Sequence, residues 1–121
     1  MEVVLLQFTN DKPIFEQIME YIIIKIASGE YKKEDKIYSV REYATMLGVN
    51  PNTVQRALFT LEGKGVIYSK RGDGRYVGDV EIATKLRDDI ARNSVKRFMV
   101  EMKQIGVSKY QILSIVEDLD L

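Results

Sequence analysis

The sequence predicts a mainly α-helical fold with a small β-hairpin: a winged helix-turn-helix domain over residues 1–78 and a two-helix tail over residues 79–121. Three observations predict it. Apolar residues recur every three or four positions in several segments, which is the spacing of one face of a helix. The second and third of these segments are short and meet at a glycine-containing turn, as in a helix-turn-helix. Two β-prone runs around Gly72-Asp73-Gly74 then predict a hairpin, which adds the wing.

The composition is that of an ordinary folded domain, and it removes several functional classes. Of 121 residues, 45% are hydrophobic and 30% are charged, and 18 basic residues balance 18 acidic ones. The chain has no Cys and no His, which removes disulfides, thiolate or imidazole zinc sites and Cys-His or Ser-His-Asp catalysis. It also has no phosphate-binding loop and no recognisable pair of catalytic carboxylates. We therefore expect a protein that is not an enzyme and that needs no metal and no cofactor.

The N-terminal residues carry no targeting signal. The chain starts without a basic segment or a small-residue cleavage site, so a signal peptide is not expected. The longest apolar run, residues 21–24, is far too short to span a bilayer. We expect a cytoplasmic protein with no membrane partner. In its short leader, Val3, Leu5 and Phe8 can dock as an extended segment.

The first helix is predicted over residues 13–28. Pro13 suits the first helical position, because the amide that proline lacks would have no partner within the helix. Gly29 favours a left-handed stop. A charged loop follows, in which Ile37 and Tyr38 can add a short strand. The apolar stripe of the helix repeats every four residues, at Ile14, Ile18, Ile22 and Ile26.

Capping signals define the second and third helices. Ser39 and Glu42 form a capping box, in which the serine hydroxyl accepts from the Glu42 amide and the glutamate side chain returns to the Ser39 amide. The second helix ends at Gly48. The third begins at Asn50, a strong N-cap, and Pro51 fits its first turn. The residues predicted to face inward are Tyr43, Ala44, Leu47, Val54, Ala57, Leu58 and Leu61.

The tail is predicted to be helical from about Val80, as one long helix with a change of face or as two shorter helices. Gly106 ends this part, and a capping box of Ser108 and Gln111 starts the last helix. An apolar stripe along the tail forms either an intramolecular core or the seam of a homodimer. We favour the seam, because a thin tail cannot bury two faces alone. The residues assigned to it are Ile90, Val95, Phe98, Met102, Ile105, Ile112 and Val116.

The start of the third helix carries polar residues suited to DNA. In a helix-turn-helix these residues lie nearest the bases of the major groove. Free amides there, together with the positive end of the helix dipole, suit a phosphate. Asn50, Asn52 and Thr53 can hydrogen-bond phosphates or base edges. Gln55 can pair with adenine, and Arg56 can reach guanine or phosphate. The plainer alternatives are a well-capped helix without a ligand and, for Gln55 or Arg56, a contact along the helix.

Basic residues flank this helix in sequence. Between residues 38 and 78 six basic residues outnumber three acidic ones, and a net charge of +3 there suffices for salt-dependent phosphate binding. Asp73 at the wing tip would repel phosphate, so its side chain is expected to turn away or to cap the turn. The tripeptide Arg71-Gly72-Asp73 is better explained as a hairpin turn than as an adhesion motif. The predicted DNA contacts in this part are Arg41, Lys70, Arg71, Gly72 and Arg75.

Residues 12–78 resemble one known family over their whole length. The stretch DKIYSVREYATMLGVNPNTVQRALFTLEGKGVIYSKRGDGRYV is similar to the winged-helix module of GntR-family bacterial transcriptional regulators. KPIFEQIMEYIIIKIASGEYKKEDKI resembles the same family's opening helix. The resemblance implies that Arg41 contacts DNA, as the arginine of the family's S-x-R-E motif does. One departure is Tyr38, where the family usually has proline. Pro51 stands where other subfamilies carry a basic residue, but Asn50-Pro51-Asn52-Thr53 resembles the pattern of the YtrA-like subfamily.

The tail lacks the long ligand-binding domain of most GntR members and resembles the short tail of the YtrA-like subfamily, which implies dimerisation through its helices. We therefore expect a DNA-binding regulator, most simply a repressor, that binds a pseudo-palindromic double-stranded operator as a homodimer. Whether it has a small-molecule effector is open. The alternative is a winged-helix module for protein–protein assembly without DNA, for which an apolar recognition helix would be more typical.

Overall fold

The computed structural model describes residues 7–120, and the predicted docking of Val3 and Leu5 lies outside them. Within the described residues the fold is mainly α-helical with one antiparallel hairpin, which confirms the predicted class. Two compact units are present: the first ends at Arg87 and the second begins at Asp88. The elements are α1 (Ile14–Ala27), α2 (Val40–Leu47), α3 (Pro51–Gly63), β1 (Ile67–Lys70), β2 (Gly74–Val77), α4 (Val80–Gln104) and α5 (Lys109–Asp118).

Helix α1 forms one wall of the core of the first unit. It starts one residue later than predicted, so that Pro13 occupies the cap position, and it stops before Gly29, whose φ of +84° is the expected left-handed turn. The helix packs on α3. Its buried face follows the period of the sequence and consists of Ile18, Met19, Ile22, Ile23 and Ile26.

The helix-turn-helix is fixed by its local signals. Ser39 Oγ accepts from the Glu42 amide at 3.1 Å, and the Ser39 amide donates to Glu42 Oε1 at 3.0 Å, so the predicted capping box is confirmed. Gly48 ends α2 with a φ of +66°, and Asn50 caps α3. Every inward-facing residue predicted on α2 and α3 is buried, and Met46 joins them. The end of α2 at Gly48 and the N-cap of α3 at Asn50 therefore define the turn between the two helices.

The wing is a hairpin in which Ile67 pairs with Val77 and Lys70 with Gly74. A third segment joins it, but one residue earlier than predicted: Lys36 forms the bridge, to Tyr76. The Ile37 amide then donates to the Arg75 carbonyl at 2.9 Å, and the Ile37 side chain is buried. The Ile37 side chain thus packs in the core, while backbone hydrogen bonds join this segment to β2.

Helix α4 is one continuous helix of 25 residues, which decides between the two predicted arrangements. Its first turns belong to the first unit. Ala83 is fully buried there, and Ile82 Cδ1 lies 3.3 Å from the position a Cβ on Gly65 would take. The compact unit consequently continues to Arg87, past the boundary that the sequence suggested after residue 78.

The second unit contains the rest of α4, a turn, and α5. Gly106, with a φ of +80°, ends the first segment. Ser108 and Gln111 form the predicted capping box at the start of α5 in both directions, at 3.2 and 2.8 Å. Of the described residues in this unit, Ile112 is the one that is buried.

Candidate nucleic-acid interface

The N-terminal end of α3 carries polar side chains, and its first backbone amides already donate hydrogen bonds to Asn50. Asn50 Oδ1 accepts from the Asn52 amide at 2.8 Å, and the Asn50 carbonyl accepts from the amides of Thr53 and Val54 at 3.0 and 3.2 Å. Pro51 has no amide hydrogen. These three amides therefore have acceptors within the start of the helix. Phosphate binding at this end stays a prediction, and the exposed side chains are its remaining donors.

The side chains available on α3 lie opposite its buried stripe. Asn52, Gln55 and Arg56 are exposed and Thr53 is half-buried, while Val54 and the rest of the stripe are in the core. Asn50 is also exposed, but its side-chain oxygen serves as the cap. Asn52 and Gln55 are therefore the exposed uncharged polar side chains of α3 that the cap does not use. Their assignment to DNA stays a prediction.

Arg41 and Arg71 are the exposed basic residues at the start of α2 and at the wing tip. Within residues 7–120, neither side chain forms a hydrogen bond or an ion pair. Gly72, next to Arg71, has a φ of +76°, so the turn at the tip requires a residue without a side chain. Both guanidinium groups are therefore available to an anion.

The acidic residue at the wing tip is neutralised within the wing. Asp73 accepts hydrogen bonds from the Tyr76 hydroxyl and from Lys36 Nζ, the latter at 3.1 Å. These bonds, that of Tyr76 first, hold the pKa of Asp73 below its usual value. Lys70 Nζ lies 4.3 Å from the centroid of the Tyr76 ring. Asp73 is thus turned back onto β2, as the sequence suggested, and Lys70 and Arg71 set the charge at the tip.

Arg75 lies in a network that the sequence did not predict. Its Nε donates to Glu62 Oε1 at the C-terminal end of α3, and Ser69 Oγ donates to the same oxygen at 2.8 Å. Burial alone would raise the pKa of Glu62, but the bonds from Arg75 and Ser69 outweigh it and keep that pKa below its usual value. The network joins both strands of the wing to α3. No local pattern predicts it, because Glu62 and Arg75 are 13 positions apart.

Arg56 also has a partner that the sequence did not predict. Its guanidinium carbon lies 3.8 Å from the centroid of the Phe15 ring, on α1. At this distance the cation is stacked on the aromatic face. The contact joins the second residue of α1 to the exposed side of α3.

The second unit has a large apolar surface. Of the predicted dimer residues, Ile90 and Met102 are half-buried and Ile112 is buried within its own chain. The other four predicted residues are exposed, and so are five apolar residues that were not assigned to the seam. The exposed set is Val95, Phe98, Val100, Ile105, Tyr110, Leu113, Ile115, Val116 and Leu119.

Two further properties concern the described part of the chain as a whole. None of its helices is long and apolar enough to cross a membrane. Among residues 7–120 no three Asp or Glu side chains come together in a way that would hold a metal ion.

Three core helices, a three-residue turn between α2 and α3, and a basic hairpin define a winged helix-turn-helix DNA-binding domain. The family model for bacterial regulatory proteins of the gntR family matches residues 14–77, and the chain belongs to this family of transcriptional regulators. The family places it among regulatory proteins and not among enzymes.

Similarity extends beyond the DNA-binding domain. The HTH-type transcriptional repressor YtrA of Bacillus subtilis is 33% identical over 100 residues, which cover 81% of this chain and 77% of that protein. A GntR family regulator from Listeria monocytogenes has a TM-score of 0.81 at 41% identity, over 93% of this chain and 100% of that chain. The AraR DBD in complex with operator ORX1 has a TM-score of 0.58 at 26% identity, over 64% of this chain and 99% of that chain.

Proposed function

We propose that this regulator is a repressor that binds a pseudo-palindromic operator as a symmetric homodimer. The observation that carries the proposal is that Arg41, Gln55 and Arg71 are all exposed and lie on the three elements with which a winged helix-turn-helix meets DNA. A protein-assembly module would need an apolar α3 surface in their place. The structural similarity to AraR bound to an operator supports the same use of this domain.

The side chains divide between positioning and reading. Arg41 and the wing residues Lys70 and Arg71 suit phosphates, because long cationic side chains at the edge of the domain gain charge-assisted bonds there. Gln55 suits an adenine edge, to which it can donate and accept at once. Asn52 and Thr53 would hold the start of α3 against the sugar-phosphate backbone of the DNA. Asn50 contributes through the cap that orients them, and Gly72 through the turn that brings Arg71 forward.

The second unit supplies the reason for dimerisation. With Ile112 as its one buried residue in the part described, the segment from Asp88 cannot be held by its own core. A second copy would cover the exposed stripe that includes Phe98 and Ile105. A symmetric pair of tails would then fix the distance between two copies of α3, and with it the spacing of the operator half-sites.

We infer repression, and not activation, from one similar protein. The relative from Bacillus subtilis is named a transcriptional repressor, and it matches the tail as well as the DNA-binding domain. The protein would act in the cytoplasm, on chromosomal DNA. Any signal that shifts the packing of the tail would shift operator affinity through the half-site spacing.

The test is recovery of genomic fragments bound by the purified full chain, followed by a salt titration on the recovered sequence. We expect an inverted repeat, and an observed binding constant whose logarithm falls with log[salt] by about 0.9 for each phosphate neutralised. Arg41→Ala and Gln55→Ala separate the two kinds of contact. The first should weaken all DNA equally, while the second should weaken only sites with the preferred base. Binding that is absent at low salt, or that does not depend on salt, would refute the proposal and leave the protein-assembly alternative.

A further inference from the structure

We propose that Phe15 is a positioning residue, which holds the Arg56 guanidinium in place for a DNA phosphate beside α3. The inference rests on the proposed DNA binding and adds to it a residue of α1 that has no polar atom of its own. Its basis is the 3.8 Å contact between Arg56 Cζ and the Phe15 ring centroid. Arg56 is exposed and Phe15 is half-buried, so the ring is fixed at the edge of the core while the cation above it faces solvent.

The geometry of stacking leaves the donors of Arg56 free. A guanidinium carries its five N–H groups in its own plane, and a ring beneath that plane occupies none of them. Within residues 7–120 the Arg56 side chain makes no hydrogen bond or ion pair. Arg75 is the opposite case, because its Nε is already committed to Glu62. Of these two arginines, Arg56 is therefore the one prepared to receive a ligand.

The direction of the contact favours a phosphate over a base edge. Arg56 follows Gln55 on α3, about 100° further round the helix. The ring that holds Arg56 belongs to α1, so the guanidinium lies on the α1 side of α3. Phosphates line the flanks of a helix that enters the major groove, whereas the base edges lie beneath it. Gln55 remains free of any such restraint.

Holding the guanidinium in advance should raise DNA affinity. A free arginine side chain loses rotamer freedom when it binds, and a side chain that is already stacked loses less. An exposed cation–π contact corresponds to about a two- to fivefold change in an equilibrium constant. We expect Phe15→Leu to weaken DNA binding by about that factor, and Phe15→Tyr to retain wild-type affinity because its ring still stacks.

The experiment is a double-mutant cycle on DNA affinity, measured by fluorescence anisotropy over a range of salt with one recovered operator and one unrelated duplex of equal length. Arg56→Gln should lower the salt slope by about 1.8 on both duplexes, which is about 0.9 for one phosphate in each subunit of the proposed dimer. Phe15→Leu should lose its effect on affinity in the Arg56→Gln background, because there is no longer a cation to hold. Lys85→Gln, an exposed lysine on α4, is the matched control for the loss of one charge.

Three results would overturn the inference. The first is an unchanged salt slope in Arg56→Gln, which would mean that no phosphate is contacted. The second is an equal loss from Phe15→Leu with and without Arg56, which would assign Phe15 to core packing alone. Thermal melts identify this case even if Phe15→Leu is poorly folded, and Arg56→Lys then tests the stack from the other side. The third is a wild-type protein that binds neither duplex at low salt, which would remove the proposed function together with this inference.

Discussion

The Glu62–Arg75 pair gives a prediction whose size follows from its burial. Glu62→Gln keeps the shape of the side chain and removes its charge, which leaves Arg75 without a counter-ion. The two side chains retain 27% and 21% of their exposure, so the pair lies between a surface ion pair and a buried one. Surface pairs contribute about 0–1 kcal/mol, and breaking a buried pair costs about 3–5 kcal/mol. We expect a loss of about 1–2 kcal/mol, or a fall in Tm of about 5–10 °C for a domain of this size.

The pH dependence provides an independent measurement of the same pair. The hydrogen bonds from Arg75 and Ser69 keep the pKa of folded Glu62 below the 4.5 of the unconstrained group, although burial opposes them. The pair's contribution is therefore complete above about pH 4.5 and is lost as the pH falls through the folded-state pKa. Because glutamine does not titrate, the difference in Tm between wild type and Glu62→Gln should shrink as the solution is acidified.

The measurement is a set of circular dichroism melts at several pH values. It compares wild type, Glu62→Gln, Arg75→Gln and the double variant. The single losses should not add in the double variant, because each breaks the same pair. Glu101→Gln, an exposed position on α4, controls for the loss of one acidic charge. A difference in Tm that is the same at pH 7 and at pH 3.5 would refute the reasoning. Fully additive losses would refute it too.

Three further outcomes are expected. Arg41→Ala should weaken binding to operator and unrelated DNA alike and lower the salt slope by about 1.8, which is about 0.9 for each subunit of the proposed dimer, and an unchanged affinity would remove Arg41 from the interface. Gly48→Ala should lower stability by about 1–2 kcal/mol in urea titrations, because an L side chain at a φ of +66° is strained although nothing lies within 4 Å of it. Phe98→Asp should give monomers in sedimentation velocity where Asn93→Asp does not, and a persistent dimer would place the seam elsewhere.

The parts of the fold that could be predicted from the sequence are those set within one helical turn. Ser39 with Glu42 and Ser108 with Gln111 specify helix starts through atoms three residues apart, and both boxes form as expected. Burial on α3 follows from the 3.6-residue period alone. The bridge from Lys36 to Tyr76 could not be predicted in this way, because it depends on where the wing folds back in space.

The candidate site shows the same division between short-range and long-range information. Periodicity predicts that Gln55 and Arg56 are exposed, but it does not tell what a long side chain contacts once exposed. Arg56 meets a ring 41 positions earlier in the chain, and Arg75 meets a carboxylate 13 positions earlier. The two arginines therefore end in opposite states, one with its donors free and one with a donor committed. Only the tertiary fold distinguishes them.

In the proposed homodimer, the tail would link pairing of the subunits to DNA affinity. If two copies pair through the exposed stripe, each operator half-site is bound at the high effective concentration set by the other, and the two binding free energies combine. A monomer would have one recognition helix and one wing, with about half of the phosphate contacts and half of the salt slope. Phe98→Asp should therefore halve the slope as well as weaken binding, whereas Arg41→Ala should remove about one contact per subunit. These two slopes distinguish a broken dimer from a lost phosphate contact, even where the affinities coincide.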